Sequence, residues 1–91
     1  MLKIECSEKA SKSITLRLEG RVIGPWVEEV RRVAEWVLAS GAILTFDLSE
    51  VTFVDRQGID LFRNLRDRDA TFLNSSVFVA EQLKSGEWQG R

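Results

Sequence analysis

The hydrophobic pattern of residues 13–48 changes twice along the chain, and these changes limit the folds that it can adopt. Apolar and polar residues alternate over residues 13–19, which predicts a strand with one buried face. Over residues 25–40 the apolar residues recur at helical spacing, and residues 42–48 form a short apolar run typical of a central strand covered on both faces. A strand, a helix and a strand in succession predict a right-handed crossover between two parallel strands.

The helix predicted over residues 25–40 has clear signals at both ends. Pro25 suits its first position, because the N–H group that proline lacks would have no intrahelical acceptor there, and Gly41 suits its end. Trp36 lies beside the centre of the apolar face, so we expect it to flank the core or to be partly exposed. The apolar face comprises Trp26, Val27, Val30, Val33, Ala34, Val37 and Leu38.

The N-terminal residues complete the predicted sheet. Residues 2–6 can form a strand, and the polar residues 7–12 are long enough to connect it as a hairpin to the next strand, so the two strands should be antiparallel neighbours. The sequence thus predicts an α/β fold: a small mixed β-sheet with an N-terminal antiparallel hairpin and parallel βαβ crossovers, with helices packed on the sheet. Residues 1–91 are too few for two cores, so we expect a single domain.

The second half of the chain is predicted to hold a shorter helix and further small elements. Apolar residues at helical spacing follow Gly58, and Arg63 can pair with Asp67 one turn later. The apolar positions of this helix are Ile59, Leu61, Phe62 and Leu65. The remaining predicted segments are one or two strands at residues 70–73 and 77–79, a helical turn at residues 81–85 and a frayed tail at residues 86–91.

The charge balance and the single cysteine limit the binding partners and the cellular compartment that we expect for this protein. With 13 basic and 14 acidic residues the net charge is −1, so the chain has no general attraction to nucleic acid or to an anionic membrane. Cys6 is the only cysteine, which excludes an internal disulfide and suits a reducing cytoplasm. No apolar run reaches the length of a membrane span and residues 1–13 do not resemble a secretory signal, so we expect a cytoplasmic protein.

The chain lacks the side chains on which most enzymes depend. It has no His and no Tyr, which removes the commonest general base and the usual metal ligand, and it has no Gly-rich phosphate-binding loop. We therefore expect no enzymatic activity, no cofactor and no metal. The remaining enzyme hypothesis is a carboxylate pair formed by Asp47 and Asp55, although a strand end and a helix cap each give an aspartate a structural reason to be present.

The step from Asp55 to Gly58 follows an apolar segment and precedes the second helix. At the N-cap, the Asp55 carboxylate would accept hydrogen bonds from the first free N–H groups of the helix, and Gly58 would let the first turn lie close to the sheet or bend sharply. Residues 20–25 precede the first helix in the same way. Because the carboxyl ends of parallel strands share one edge of a sheet, we expect the two loops to form one surface that displays Arg56 and Gln57.

Three segments together resemble the STAS domain family, whose best-known members are the bacterial anti-sigma factor antagonists. The segments are LRLEGRV at residues 16–22, the apolar strand with Asp47 and Leu48, and VTFVDRQGI at residues 51–59, and the match extends in order over nearly the whole chain. The resemblance implies a mixed sheet with helices packed on it and an N-terminal hairpin. It also implies a protein-interaction domain in bacterial signalling and transcription regulation, whose partner is an anti-sigma factor or a related kinase-like ATPase.

The chain departs from the family at the residue after the motif aspartate. In phosphorylatable antagonists that residue is Ser or Thr and is commonly followed by another Ser or Thr, whereas Arg56 and Gln57 hold these two positions here. The resemblance therefore implies binding without phosphorylation control at this loop. Family members often carry an acidic residue where this chain has Ile23. Arg56 allows two interpretations: it pairs with Asp55 or Asp60, or it offers its guanidinium to an acidic partner group.

Partner binding is predicted for both loops and for the outward side of the second helix. Ser49 and Thr52 are weaker candidates, as substitute phosphorylation sites.

Two alternatives to an antagonist stay open: a STAS subunit of a larger assembly, such as a lipid-transport ABC system or a stressosome-like scaffold, and a STAS module that binds a nucleotide or a lipid. The predicted partner-binding residues are Arg21, Ile23, Gly24, Trp26, Asp55, Arg56, Gln57, Gly58, Asp60 and Arg63.

Overall fold

The computed structural model of the chain describes residues 2–10 and 12–89. Within these ranges the chain forms one mixed sheet in the order β1-β2-β3-β4, in which β1 is antiparallel to β2 while β2, β3 and β4 are parallel. The predicted hairpin, and the parallel arrangement of the strands on either side of the first helix, are confirmed. The elements are β1 (Leu2–Ala10), β2 (Ser13–Val22), α1 (Pro25–Ala39), β3 (Ile43–Val54), α2 (Arg56–Asp67), β4 (Thr71–Leu73) and α3 (Val77–Gln89).

The core lies on one face of the sheet, where all three of the described helices contribute buried residues. Along β3, Leu44 and Phe46 are buried, whereas Thr45 and Asp47 are half-buried on the opposite side, called the open face below. The prediction that residues 42–48 are covered on both faces is therefore wrong. The run contains polar residues at alternate positions, and these positions face away from the helices.

Helix α1 begins and ends where its sequence signals predict. Pro25 is its first residue, and Gly41 follows the C-cap residue Ser40 with a φ of 84°, a left-handed conformation that favours glycine. Trp36 is 63% exposed on this helix, in agreement with its position beside the apolar face.

Three phenylalanines fix α2 against the sheet. Phe62 of α2 packs on Phe46 of β3 and on Phe72 of β4, with ring centroids 5.6 Å and 5.2 Å apart, and Phe46 stacks on Phe72 at 5.1 Å. Phe46 and Phe62 are fully buried. Aromatic pairs at these distances contribute through both buried area and ring electrostatics, so the middle of α2 is held at a defined place over the sheet.

The hairpin is longer than the sequence predicts. Strand β1 pairs with β2 from Leu2 opposite Gly20 to Ala10 opposite Ser13, so most of residues 7–12, predicted as the connection, belongs to the strands. The physical reason is the place of β1 at the edge of the sheet. Exposed edge strands carry polar and charged residues, so their sequence resembles that of a loop.

The C-terminal elements also differ from the prediction. Residues 77–79 are the first turn of α3 and not a strand: the N–H of Val79 donates to Ser76 Oγ at 3.1 Å, as at a helix N-cap. Helix α3 continues to Gln89 and so includes part of the tail predicted to fray, while residues 90 and 91 lie outside the described residues. In α2, Arg63 pairs with Asp60 at 3.6 Å in place of Asp67.

Candidate functional site: the paired-loop edge

The Asp55 carboxylate joins the two loops at the carboxyl ends of β2 and β3. Its Oδ1 accepts a hydrogen bond from the N–H of Gly58 at 2.8 Å, which makes Asp55 the N-cap of α2. Its Oδ2 accepts from the N–H of Gly24, the N-cap residue of α1, at 2.9 Å. One side chain therefore satisfies a backbone donor at the start of each helix. We call the surface formed by residues 20–26 and 55–58 the paired-loop edge.

Gly58 is buried because the first turn of α2 lies directly against the strands. A Cβ atom at this position would lie 2.5 Å from Val54 Cγ1, 3.0 Å from the backbone oxygen of Val22 and 3.2 Å from Val22 Cγ1. The same Val22 oxygen accepts from the N–H of Asp55 at 3.1 Å. Only a residue without a side chain permits this approach, which confirms the close packing predicted for Gly58.

Gly24 gives the other loop its shape. Its φ of 55° and ψ of −131° lie in a region that residues with a Cβ rarely adopt. The turn is closed by the N–H of Trp26 donating to Ile23 O at 3.0 Å and the N–H of Val27 donating to Gly24 O at 3.1 Å. The loop thus reaches Asp55 in a defined conformation.

The structure brings the predicted binding residues of both loops to one edge of the sheet. Gly58 is buried and has no side chain to offer a partner, so its place there is structural. The others reach the surface to different degrees. Arg21, Gly24, Arg56, Gln57 and Asp60 are exposed, and Ile23, Trp26, Asp55 and Arg63 are half-buried.

Arg56 does not pair with either aspartate suggested from the sequence. Asp55 uses both carboxylate oxygens on backbone N–H groups, and Asp60 pairs with Arg63. Among the residues that the structure describes, Arg56 and Arg21 have no ion-pair partner. The interpretation of Arg56 as a quiet, internally paired side chain is therefore wrong, and its charge is available to another molecule.

Asp47 and Asp55 do not form a carboxylate pair. Asp47 lies in β3 and Asp55 directly follows this strand, eight positions later, which corresponds to roughly 20–25 Å once the two register shifts opposite β2 are allowed for. Asp47 Oδ1 accepts from the N–H of Ser49 at 3.0 Å and from Asn74 Nδ2 at 3.2 Å, so it holds the start of the loop after β4. The enzyme hypothesis based on these two residues fails on distance.

The hydrogen bonds to Asp47 predict a small acid dependence of stability. The backbone N–H of Ser49 lowers the pKa of Asp47, and the Asn74 side chain lowers it further. A carboxyl whose pKa is lower in the folded chain stabilises the fold when the pH is above its pKa in the unfolded chain. This contribution is lost as the pH falls through its pKa in the folded chain. We expect the stability advantage of the wild type over Asp47→Ala to shrink as the pH falls from about 4 towards 2.

Urea unfolding of both proteins between pH 2 and pH 7 measures this change. The pKa of Glu35 is also lowered, by its hydrogen bond from Arg68, but Glu35 is present in both proteins and its titration cancels in the difference. A difference between the two proteins that stays constant across this range would contradict the assignment to Asp47.

The described part of the chain offers neither a metal site nor a membrane-spanning helix. No group of three or more metal-ligating side chains occurs within residues 2–10 and 12–89. In the same ranges no helix is long and apolar enough to cross a bilayer.

The paired-loop edge sits on a fold that known structures share. A mixed four-stranded sheet with an N-terminal hairpin and helices packed on one face is a SpoIIAA-like α/β fold. The chain is similar to the anti-sigma factor antagonist SpoIIAA in its unphosphorylated form, with a TM-score of 0.73 and 18% identity over 90% of this chain and 82% of that chain. It is also similar to an uncharacterized DUF3478-family protein with a SpoIIAA-like fold from Shewanella loihica PV-4, with a TM-score of 0.59 and 11% identity over 96% of this chain and 77% of that chain. No family model and no curated protein sequence matches the chain.

Sequence reasoning missed two exposed aromatic residues near this edge. Phe53, close to the end of β3, is 40% exposed, and Phe78, in the first turn of α3, is 50% exposed. A signal for Phe53 was present: Phe53 and Val54 are adjacent in a strand, so they cannot both face the core. Phe78 carried no such signal, because residues 77–79 resemble a strand.

Proposed function

We propose that the chain is a single cytoplasmic protein-interaction domain of the anti-sigma factor antagonist type. It binds an anti-sigma factor or a related kinase-like ATPase through the paired-loop edge and the outward side of α2. The binding is not controlled by phosphorylation at residues 55–58. SpoIIAA, described as an anti-sigma factor antagonist, has the same fold, and this likeness supports the class of partner.

The observation that carries the proposal is the double hydrogen bond of Asp55. By binding the N–H groups of Gly24 and Gly58, its carboxylate holds two loops from different parts of the chain in one fixed surface. A preformed surface loses little conformational entropy when a partner binds, which favours binding. The surface also offers neither a nucleophile next to a base nor a His.

The residues at positions 55–58 support independence from phosphorylation. Asp, Arg, Gln and Gly carry no hydroxyl, and Arg56 is exposed where the resembling antagonists carry their acceptor. The two nearby hydroxyls are less suitable, because Thr52 Oγ1 donates to the backbone oxygen of Gly20 at 3.2 Å and Ser49 lies within β3, where its backbone N–H donates to Asp47 Oδ1. Arg56 therefore places a permanent positive charge where the antagonists that the chain resembles carry a hydroxyl that phosphorylation would make negative.

Charge reversal at Arg56 tests this proposal. Immobilised wild type and Arg56→Glu are incubated with bacterial lysate, and the captured proteins are identified by mass spectrometry. We expect Arg56→Glu to retain about a tenth or less of the partner, because a carboxylate would replace the guanidinium at the contact. Capture by the wild type should be the same after treatment of the lysate with ATP or with phosphatase.

Lys12→Glu is the matched control. Lys12 is an exposed cation at the opposite end of the sheet, where its backbone oxygen accepts from the N–H of Ile43, so its reversal should leave capture unchanged. An unchanged partner set with Arg56→Glu removes this loop from the interface. A captured set without an anti-sigma factor or kinase-like ATPase contradicts the class of partner, and loss of capture after ATP treatment contradicts independence from phosphorylation.

A further inference from the structure

An exposed apolar patch lies beside the paired-loop edge, at the end of β3 and the start of α3. Phe53 and Phe78 stack with ring centroids 6.2 Å apart, and the neighbouring Val77 is 81% exposed. We call Phe53, Val77 and Phe78 the Phe53 patch. Three large apolar side chains exposed side by side mark an interaction site more often than scattered single residues do.

The patch lies next to the two unpaired cations. Phe53 is the register partner of Arg21, and Val54 is the register partner of Val22. Because Val22 and Val54 are buried on the helix side, Phe53 and Arg21 both face the open side. Arg56 stands nearby, since it follows Asp55, whose N–H donates to Val22 O at 3.1 Å.

No carboxylate of the described residues neutralises these cations. On the open face, Glu19 and Glu50 pair with Arg17, at 3.7 Å and 3.9 Å. Asp55 and Asp60 have the partners described above. Arg21 and Arg56 thus remain as two exposed positive charges beside an apolar surface.

We infer that the partner covers the Phe53 patch with an acidic segment that carries an apolar side chain. Its apolar side chain packs against Phe53 and Phe78, and its Asp or Glu side chains pair with Arg21 and Arg56. The inference rests on the proposed function, because it gives the chemistry of the partner at the paired-loop edge and extends that surface onto the open face. Aromatic residues, Phe among them, and Arg are enriched at protein interfaces, which fits a protein partner.

Site-specific photocrosslinking tests the inference on the full chain. p-Benzoylphenylalanine is placed at position 53 in the patch, at position 57 on the paired-loop edge, or at position 43 as the control. Ile43 is 60% exposed at the opposite end of the same strand. Each protein is irradiated in three separate samples: in bacterial lysate, with a purified dT20 oligonucleotide, and with phosphatidylglycerol vesicles. Mass spectrometry then identifies the adduct and sequences any linked peptide.

The expected result is a protein adduct at position 53 and not at position 43, linked to a peptide of net negative charge that contains an apolar residue. Arg21→Glu together with Arg56→Glu should lower the yield of this adduct roughly tenfold, while Lys12→Glu leaves it unchanged. Adducts at positions 53 and 57 support both proposals. An adduct at position 53 alone places the partner on the patch but not on the paired-loop edge, and it overturns both the proposed binding through the loops and the pairing with Arg56 on which the inference depends.

Other outcomes overturn the inference. An adduct at position 57 without one at position 53 leaves the proposed function intact and removes the patch from the interface. A linked peptide of positive charge, equal adducts at positions 43 and 53, or adducts only with the oligonucleotide or the vesicles contradict an acidic protein segment. The absence of any adduct at positions 53 and 57 contradicts both proposals.

Discussion

Replacing Gly58 with Ala is expected to lower the free energy of unfolding by about 1–3 kcal/mol. In an ordinary helix position the same change raises stability by roughly 1 kcal/mol, because alanine is the better helix former. Here the added Cβ would lie 2.5 Å from Val54 Cγ1 and 3.0 Å from Val22 O. Valine is stiff at χ1 and the oxygen belongs to the backbone, so neither neighbour yields without moving α2. Urea unfolding followed by circular dichroism measures the change.

Asn64→Ala serves as the control for Gly58→Ala. Asn64 is exposed on the same helix, so its replacement should change the free energy of unfolding by no more than about 0.5 kcal/mol. If Gly58→Ala proved as stable as the wild type, the close approach of α2 to β2 and β3 would be wrong. The geometry of the paired-loop edge would then lose its main support.

The parts of the fold that the sequence predicted are those in which local pattern and tertiary structure agree. Pro25 and Gly41 bound α1 because proline and glycine have strong backbone preferences that packing does not override. The strand predicted at residues 77–79 is wrong because three apolar residues in a row fit a strand or a buried helix equally well. Only the N-cap at Ser76 distinguishes the helix from the strand. The length of β1 was missed since an edge strand has no buried alternation to reveal it.

The site was predictable in position but not in detail. The location of both loops follows from the parallel strands, and the cap by Asp55 follows from its place before a helix. The bond from Gly24 to Asp55 joins residues 31 positions apart, which no local pattern encodes. The free charge of Arg56 depends on where Asp55 and Asp60 direct their oxygens, and the tertiary structure decides this, not the local sequence.

Replacing Asp55 with Ala is expected to lower the free energy of unfolding by about 1–3 kcal/mol, the sum of a lost N-cap and a second lost hydrogen bond. The substitution should also loosen the two loops locally, because each carboxylate oxygen accepts a hydrogen bond from one backbone N–H group. Asp55→Ala should increase the rate of hydrogen exchange more at the amides of Gly24 and Gly58 than at core amides such as that of Leu16. Urea unfolding and amide exchange measured by NMR report the two effects.

Asp60→Ala controls for the loss of a carboxylate from the same helix. Asp60 is exposed and makes only a 3.6 Å ion pair with Arg63, so we expect a stability change within about 0.5 kcal/mol. Asp55→Asn separates the two hydrogen bonds, since its amide has one acceptor oxygen and can protect only one of the two glycine amides. Unchanged exchange at both Gly24 and Gly58 in Asp55→Ala would mean that the carboxylate does not hold the loops together, and a preformed surface would then need another origin.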